Sequence, residues 1–122
     1  MAESVVQPRR FRTLCLSDVP GRYRVDLVML SVGGAGFGYD ESGAGPAIVL
    51  VHAGCADRRM WVHQMRPLAR AHRVIRYDWR GYGESDDALA PVSRHGDLLA
   101  VFDALAVERA VVVGASDGGR AA

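Results

Sequence analysis

The sequence predicts an α/β fold, a mostly parallel sheet with flanking helices that is preceded by a β-hairpin. Three short β-branched runs (Ala47–Val51, residues 73–78 and Ala110–Gly114) alternate with two segments of helical periodicity. This alternation builds right-handed parallel sheets, and continuous apolar runs suit strands that helices cover on both faces. Ligands of such sheets bind outside the carboxyl ends of the strands. The three loops that follow these runs are therefore predicted to meet at one edge.

The remaining elements are predicted from turn residues and apolar spacing. Residues 25–32 (VDLVMLSV) predict a strand, GGAG a turn, and residues 37–42 (FGYDES) the hairpin partner. GAGP then breaks the chain before the first parallel strand. Residues 56–72 carry apolar side chains at helical spacing, with Pro67 as a kink or break. Residues 92–106 predict a second helix with one leucine-rich face.

Length, composition and charge describe an ordinary globular protein. The 122 residues form one domain or part of one, with a loose Arg-rich leader predicted over residues 1–24 and the domain over residues 25–122. A net charge of +1 without a block of like charges gives no reason to expect nucleic acid or a membrane as partner. The N-terminal arginines lack a following signal-peptide core, so a cytoplasmic location is expected.

No metal or cofactor is expected. Cys15 and Cys55 lie in no ligand motif and are interpreted as two small, semi-buried thiols. The segment VVVGASDGGRAA resembles a dinucleotide-binding turn, but Ser116 and Arg120 occupy positions where G-x-G-x-x-G and its variant need glycine.

The same segment fits a different motif. Residues 114–118 (GASDG) match G-x-S-x-G directly after a strand, where a sharp turn strains the serine backbone and exposes its hydroxyl. Small residues, here Gly114 and Gly118, are needed because a side chain would collide with the strand or the next helix. The N–H groups of that helix can stabilise a developing oxyanion. Ser116 is thus the candidate nucleophile.

Three segments together, HAGCADRRMW, DWRGYGESD and VVVGASDGG, resemble the α/β-hydrolase fold family from about residue 37 onwards. The resemblance implies that the turn after the first parallel strand supplies one oxyanion N–H. That turn reads His52-Ala53-Gly54 rather than His-Gly-x, a small departure. By position, the oxyanion donors are the backbone N–H groups of Gly54 and Asp117. In this family the histidine of the turn is structural, so His52 is assigned to the turn rather than to a base.

Other polar residues have simpler interpretations. Asp78 and Arg80 are expected to brace their loop through hydrogen bonds to backbone rather than to bind substrate. For Asp117 two alternatives stay open: it faces solvent or caps the helix, or it receives a cationic group of the substrate. The remaining histidines are interpreted as surface residues and the two tryptophans as packing residues; these are His63, His72, His95, Trp61 and Trp79.

The resemblance also implies an acid and a histidine after the serine, yet only six residues follow Ser116 and none is histidine. The chain is therefore interpreted as an N-terminal part of the domain that is truncated after the G-x-S-x-G turn, the nucleophile elbow of this family, and that is inactive alone. The expected function is a serine hydrolase acting on a small-molecule acyl substrate such as a carboxylic ester or lactone. The alternative is a non-catalytic remnant or interaction module. Self-association through the open sheet edge is also expected.

Overall fold

The computed structural model describes residues 9–10 and 28–122, and its strands form one six-stranded sheet in the order β1-β2-β3-β5-β4-β6. The strands are β1 (Arg9–Arg10), β2 (Val28–Val32), β3 (Ala35–Ser42), β4 (Ala47–Val51), β5 (Arg73–Tyr77) and β6 (Ala110–Gly114). The helices are a 3-10 helix (Arg58–Trp61), α1 (Val62–Leu68), α2 (Arg94–Ala104) and α3 (Asp117–Ala121). Strands β4, β5 and β6 run parallel, whereas β1, β2 and β3 pair antiparallel and β3 joins β5 antiparallel. The predicted fold class is confirmed.

The predicted hairpin is formed by β2 and β3. Gly33 and Gly34 connect them with φ angles of 57° and 84°, and Val32 pairs with Ala35. Two consecutive positive φ angles match the twist of a two-residue hairpin turn and favour glycine at both positions. The turn is shorter than GGAG, so β3 begins at Ala35. Of the leader predicted over residues 1–24, Arg9–Arg10 pair with β2 and the rest lies outside the described residues, as do residues 25–27.

Strands β4 and β5 are buried on both faces, as the continuous apolar sequence of Ala47–Val51 predicts for β4, whereas alternate residues of β6 are exposed. Alternate residues of β4 and β5 face opposite sides because side chains alternate along a strand. On one side Val49, Val51, Ile75 and Tyr77 pack with residues of α2 and α3. On the other side Ile48, Leu50 and Val74 pack with Trp61, Met65, Leu68 and Ala69.

The helices are shorter than the periodicity predicts because capping residues and proline set their ends. The single helix expected over residues 56–72 is divided into the 3-10 helix and α1. Asp57 caps the 3-10 helix by accepting a hydrogen bond from the Arg59 N–H at 2.8 Å. Pro67 lies inside α1, where it has no N–H to donate to the His63 carbonyl, and the helix ends one residue later at Leu68. Helix α2 begins two residues later than expected because Ser93 is its N-cap and accepts from the Gly96 N–H at 3.0 Å.

Strand β6 is one of the two outer strands of the described sheet, and this placement predicts self-association. It pairs with β4 alone, and Val111 and Val113 are 63% and 38% exposed. An apolar, uncharged edge offers its unpaired backbone groups to a second copy. We expect the 122-residue chain to sediment as oligomers at tens of micromolar, and lysine at both valines to restore a monomer.

Val62→Lys is the control for this experiment, because Val62 is 54% exposed on α1 and lies outside the sheet. It should leave the oligomers unchanged. A monodisperse monomer formed by the unmodified chain would contradict the prediction.

Candidate active site

The carboxyl ends of the three parallel strands lie level with one another. In the parallel register, Val51 is paired with both Tyr77 and Gly114, the last residues of β5 and β6. The loops that begin at His52, at Asp78 and after Gly114 therefore leave one edge of the sheet together. This confirms the convergence predicted from the sequence, and it brings the candidate nucleophile and the candidate oxyanion turn to the same place.

Ser116 lies on a strained turn between β6 and α3. Its φ and ψ angles are 51° and −114°, and the residue is exposed. A positive φ is unfavourable for a residue with a Cβ atom and persists only where the surroundings impose it. The predicted strain and exposure of this serine are confirmed.

The surroundings that impose this turn are backbone contacts at two glycines. A Cβ atom on Gly114 would lie 2.3 Å from the carbonyl carbon of Gly118. A Cβ atom on Gly118 would lie 2.4 Å from the carbonyl oxygen of Val51. Both contacts are far shorter than van der Waals distance and involve backbone that cannot rotate away. The structure thus requires glycine where the motif places it.

Gly54 and Asp117, the residues that carry the two candidate oxyanion donors, are neighbours in the structure. The Asp117 carboxylate contacts the Gly54 turn, since a Cβ atom on Gly54 would be 2.5 Å from Asp117 Oδ2. Within residues 9–10 and 28–122, no hydrogen bond occupies the N–H of Gly54 or that of Asp117. Asp117 is the first residue of α3, where backbone N–H groups have no partner in the helix. Both N–H groups are therefore free to donate to an anionic oxygen.

His52 is fully buried, and both ring nitrogens are occupied. The Trp79 N–H donates to His52 Nε2 at 3.1 Å, so this nitrogen carries no proton. The proton is on Nδ1, which donates to the Ala53 carbonyl at 2.8 Å. Burial lowers the pKa of His52, which favours the neutral ring. A neutral imidazole fixed in this way orients the turn and has no nitrogen free to accept a proton from Ser116.

Asp78 braces its loop as predicted. Its buried carboxylate accepts from the backbone N–H of Arg58 at 2.7 Å and from that of Glu84 at 3.0 Å. The expectation for Arg80 is wrong in its partner. Its guanidinium forms two hydrogen bonds to the Asp97 carboxylate, at 3.0 and 2.5 Å, rather than to backbone. A fork of five donors matches a carboxylate better than a single carbonyl, so Arg80 ties the loop to α2.

Sequence reasoning missed a buried charge network beneath the oxyanion turn. Arg58 forms ion pairs with the carboxylates of Asp40, Asp78 and Glu84, and Arg76 donates to the same Asp40 oxygen at 2.7 Å. Although burial by itself lowers the pKa of Arg58, these carboxylates raise it above the usual value. The network connects the segment after Gly54 to β3, to β5 and to the loop after β5.

The Asp117 side chain neither caps α3 nor stands alone in solvent. It makes no capping hydrogen bond and is 46% exposed. Its carboxylate lies 3.8 Å from Arg94 Nη1 and 4.0 Å from Arg120 Nη1. These two cations offset the unfavourable charge that a carboxylate places beside a forming oxyanion.

The other predicted residues are distributed as follows. Trp79 is 1% exposed and packs against His52, as expected for a packing residue. Cys55 is exposed, so its interpretation as semi-buried is wrong: it lies in the loop between β4 and the 3-10 helix rather than in a covered strand. Cys15 lies outside the described residues. Trp61 is partly buried in the α1 cluster, whereas His63 and His95 are exposed on their helices and His72 is partly buried.

No helix within the described part of the chain combines the length and the apolar character that crossing a bilayer requires.

Comparisons with known proteins agree with this geometry. A family model described as alpha/beta hydrolase fold matches residues 46–122. The chain is 36% identical to an epoxide hydrolase of Caballeronia sordidicola over 80% of its length and 31% of that protein's. It is 38% identical to 3-oxoadipate enol-lactonase 1 of Acinetobacter baylyi over 61% of its length and 29% of that protein's.

A solved structure, the enol-lactonase from Burkholderia xenovorans LB400, superposes with a TM-score of 0.71 at 34% identity, covering 76% of this chain and 38% of that one. The chain thus spans about a third of the length of the relatives it matches. The residues that the family model matches, 46–122, include the three parallel strands, the turn at His52–Gly54 and the strained Ser116. This chain belongs to the α/β-hydrolase fold family.

Proposed function

We propose that the whole protein is a serine hydrolase of carboxylic esters, lactones or similar acyl compounds, with Ser116 as nucleophile. The observation that carries the proposal is the strained, exposed serine at the carboxyl edge of the sheet, next to two unoccupied backbone N–H groups. Ser116 Oγ attacks the acyl carbon, and the carbonyl oxygen becomes an oxyanion that accepts from the N–H groups of Gly54 and Asp117. The alcohol then leaves with a proton, and water hydrolyses the acyl-enzyme.

The identity of the nucleophile argues for acyl compounds over epoxides. A serine oxygen that opened an epoxide would form an ether, which water does not cleave under mild conditions, so the enzyme would not turn over. Attack on an acyl carbon forms an ester, which water does cleave. The similarity to an epoxide hydrolase therefore supports hydrolase chemistry in general. A serine at the position of the nucleophile favours acyl compounds over epoxides as substrates.

Within residues 9–10 and 28–122, no hydrogen bond joins the Ser116 side chain to a histidine. His52 has both ring nitrogens engaged, and the Nδ1–H of His95 donates to the Ala121 carbonyl at 3.0 Å rather than to a group at Ser116. We propose that the acid and the histidine implied by the family belong to the rest of the whole protein. The same observation favours the second candidate, a non-catalytic module that keeps the fold without its chemistry.

Labelling with a fluorophosphonate separates the two candidates. We expect the whole protein to form a covalent adduct that maps by mass spectrometry to the peptide containing Ser116. Ser116→Ala should abolish the adduct, and Ser93→Ala, a change at the N-cap of α2, should retain it. An adduct that survives Ser116→Ala would refute the assignment. No adduct on the folded whole protein would favour the non-catalytic module.

A further inference from the structure

A polar cleft lies between the beginnings of α2 and α3, beside the strained serine. It is open to solvent, has a volume of about 410 Å³ and is lined by Arg94, His95, Asp117, Arg120 and Ala121. Asp117 directly follows Ser116 in the chain and also contacts the Gly54 turn. One residue of the cleft lining, Asp117, therefore directly follows the serine to which an acyl group would be attached.

The charges of this cleft do not cancel. Two guanidinium groups face one carboxylate, which leaves one net positive charge when the histidine is neutral. Both separations from the Asp117 carboxylate, 3.8 Å for Arg94 and 4.0 Å for Arg120, exceed hydrogen-bond length. Among the described residues, Arg94 donates one hydrogen bond, to the Tyr82 hydroxyl at 3.4 Å, and Arg120 donates none. Most of their N–H donors remain available.

Arg94 is also held in place before anything binds. Its guanidinium carbon lies 3.9 Å from the centre of the Trp79 ring, and Trp79 is itself buried. This cation–π contact and the Tyr82 hydroxyl restrict the side chain, so an anion that binds it requires less ordering. A restricted guanidinium with free donors matches the two oxygens of a carboxylate.

We propose that this cleft binds a carboxylate on the acyl substrate, with Arg94 and Arg120 as specificity-determining residues. The inference rests on the proposed function and narrows its substrate class to acyl compounds that carry a negative charge away from the scissile bond. It also argues against the alternative in which Asp117 receives a cationic group of the substrate. A cationic group at Asp117 would meet two arginines, whereas an anion meets a cleft with an excess positive charge.

A matched pair of esters tests the proposal on the whole protein. 4-Nitrophenyl butyrate is neutral, and mono-4-nitrophenyl glutarate carries a carboxylate at the far end of its acyl chain. We expect Arg120→Gln to lower the ratio of kcat/KM for the charged ester to that for the neutral ester about fivefold, and Arg94→Gln about tenfold. Asp117→Asn should raise the ratio because it removes the competing charge. Arg70→Gln, at an exposed arginine beyond the end of α1, should leave it unchanged.

A ratio that neither arginine substitution changes would overturn the proposal. An equal loss for both esters would do the same, since it would mean that the arginines position the site rather than recognise charge. Arg94→Gln removes packing on Trp79, so its thermal unfolding is measured first. The Arg120 side chain is 86% exposed, so Arg120→Gln should fold. This variant tests the proposal if Arg94→Gln does not fold.

A binding measurement separates failure of this proposal from failure of the proposed function. With the Ser116→Ala whole protein, monomethyl glutarate should bind more tightly than dimethyl glutarate by calorimetry, and Arg120→Gln should remove most of the difference. If neither 4-nitrophenyl ester is hydrolysed through Ser116, the hydrolase proposal fails and this measurement still decides the carboxylate site. Equal binding of the two glutarates would overturn the site whatever the kinetics show.

Discussion

Replacing Ser116 by alanine in the whole protein is expected to lower kcat for ester hydrolysis by on the order of 10⁶. The strained turn places Ser116, an exposed residue, at the carboxyl edge of the sheet. Without the oxygen no acyl-enzyme forms, and only oxyanion binding by the Gly54 and Asp117 N–H groups remains. The measurement is steady-state hydrolysis of an activated ester by both proteins, purified in parallel.

Ser93→Ala is the matched control for this kinetic experiment. It removes a serine hydroxyl that caps α2, so it should cost about 1 kcal/mol of stability and leave kcat near that of the unmodified protein. A Ser116→Ala protein that retains more than about a hundredth of the activity would show that another group attacks the acyl carbon, because loss of a triad nucleophile costs far more.

Replacing Arg58 by methionine is expected to lower the free energy of unfolding by about 3–5 kcal/mol. Methionine fills a similar volume, but the buried carboxylates of Asp40 and Asp78 lose the guanidinium between them. Asp40 keeps Arg76, whereas Asp78 keeps only backbone donors. An uncompensated buried charge costs more than the ion pair contributed, so the loss should exceed that of an ordinary substitution.

The neighbouring arginine supplies the control for stability. Arg59 has a side chain that is 82% exposed and pairs with Asp57 at 2.6 Å, so Arg59→Met should cost less than about 1 kcal/mol. Both variants are measured by urea unfolding at neutral pH. Equal midpoints for the two variants would contradict the prediction and would mean that the network beneath the oxyanion turn contributes nothing net.

The sequence alone determined the elements whose signals are local. The run Ala47–Val51 could be predicted as a strand from its own residues, and the hairpin could be predicted from the two glycines that its turn requires. The elbow is local in the same sense: a strand followed by G-x-S-x-G defines the strained serine, its flanking glycines and the helix start within nine residues, 110–118. Periodicity and turn chemistry act over a few neighbouring residues, so they can be interpreted without the fold.

Only the tertiary structure decided which polar side chains are partners. The local sequence does not distinguish Arg58, which is buried and pairs with three carboxylates, from the adjacent Arg59, which is exposed. The same holds for Asp117 and Arg94, which lie 23 positions apart (117 − 94) and meet across the edge of the sheet. A charged side chain on the same backbone can point to solvent or to the core. Its direction depends on the strand order and the helix packing, which no short stretch of sequence contains.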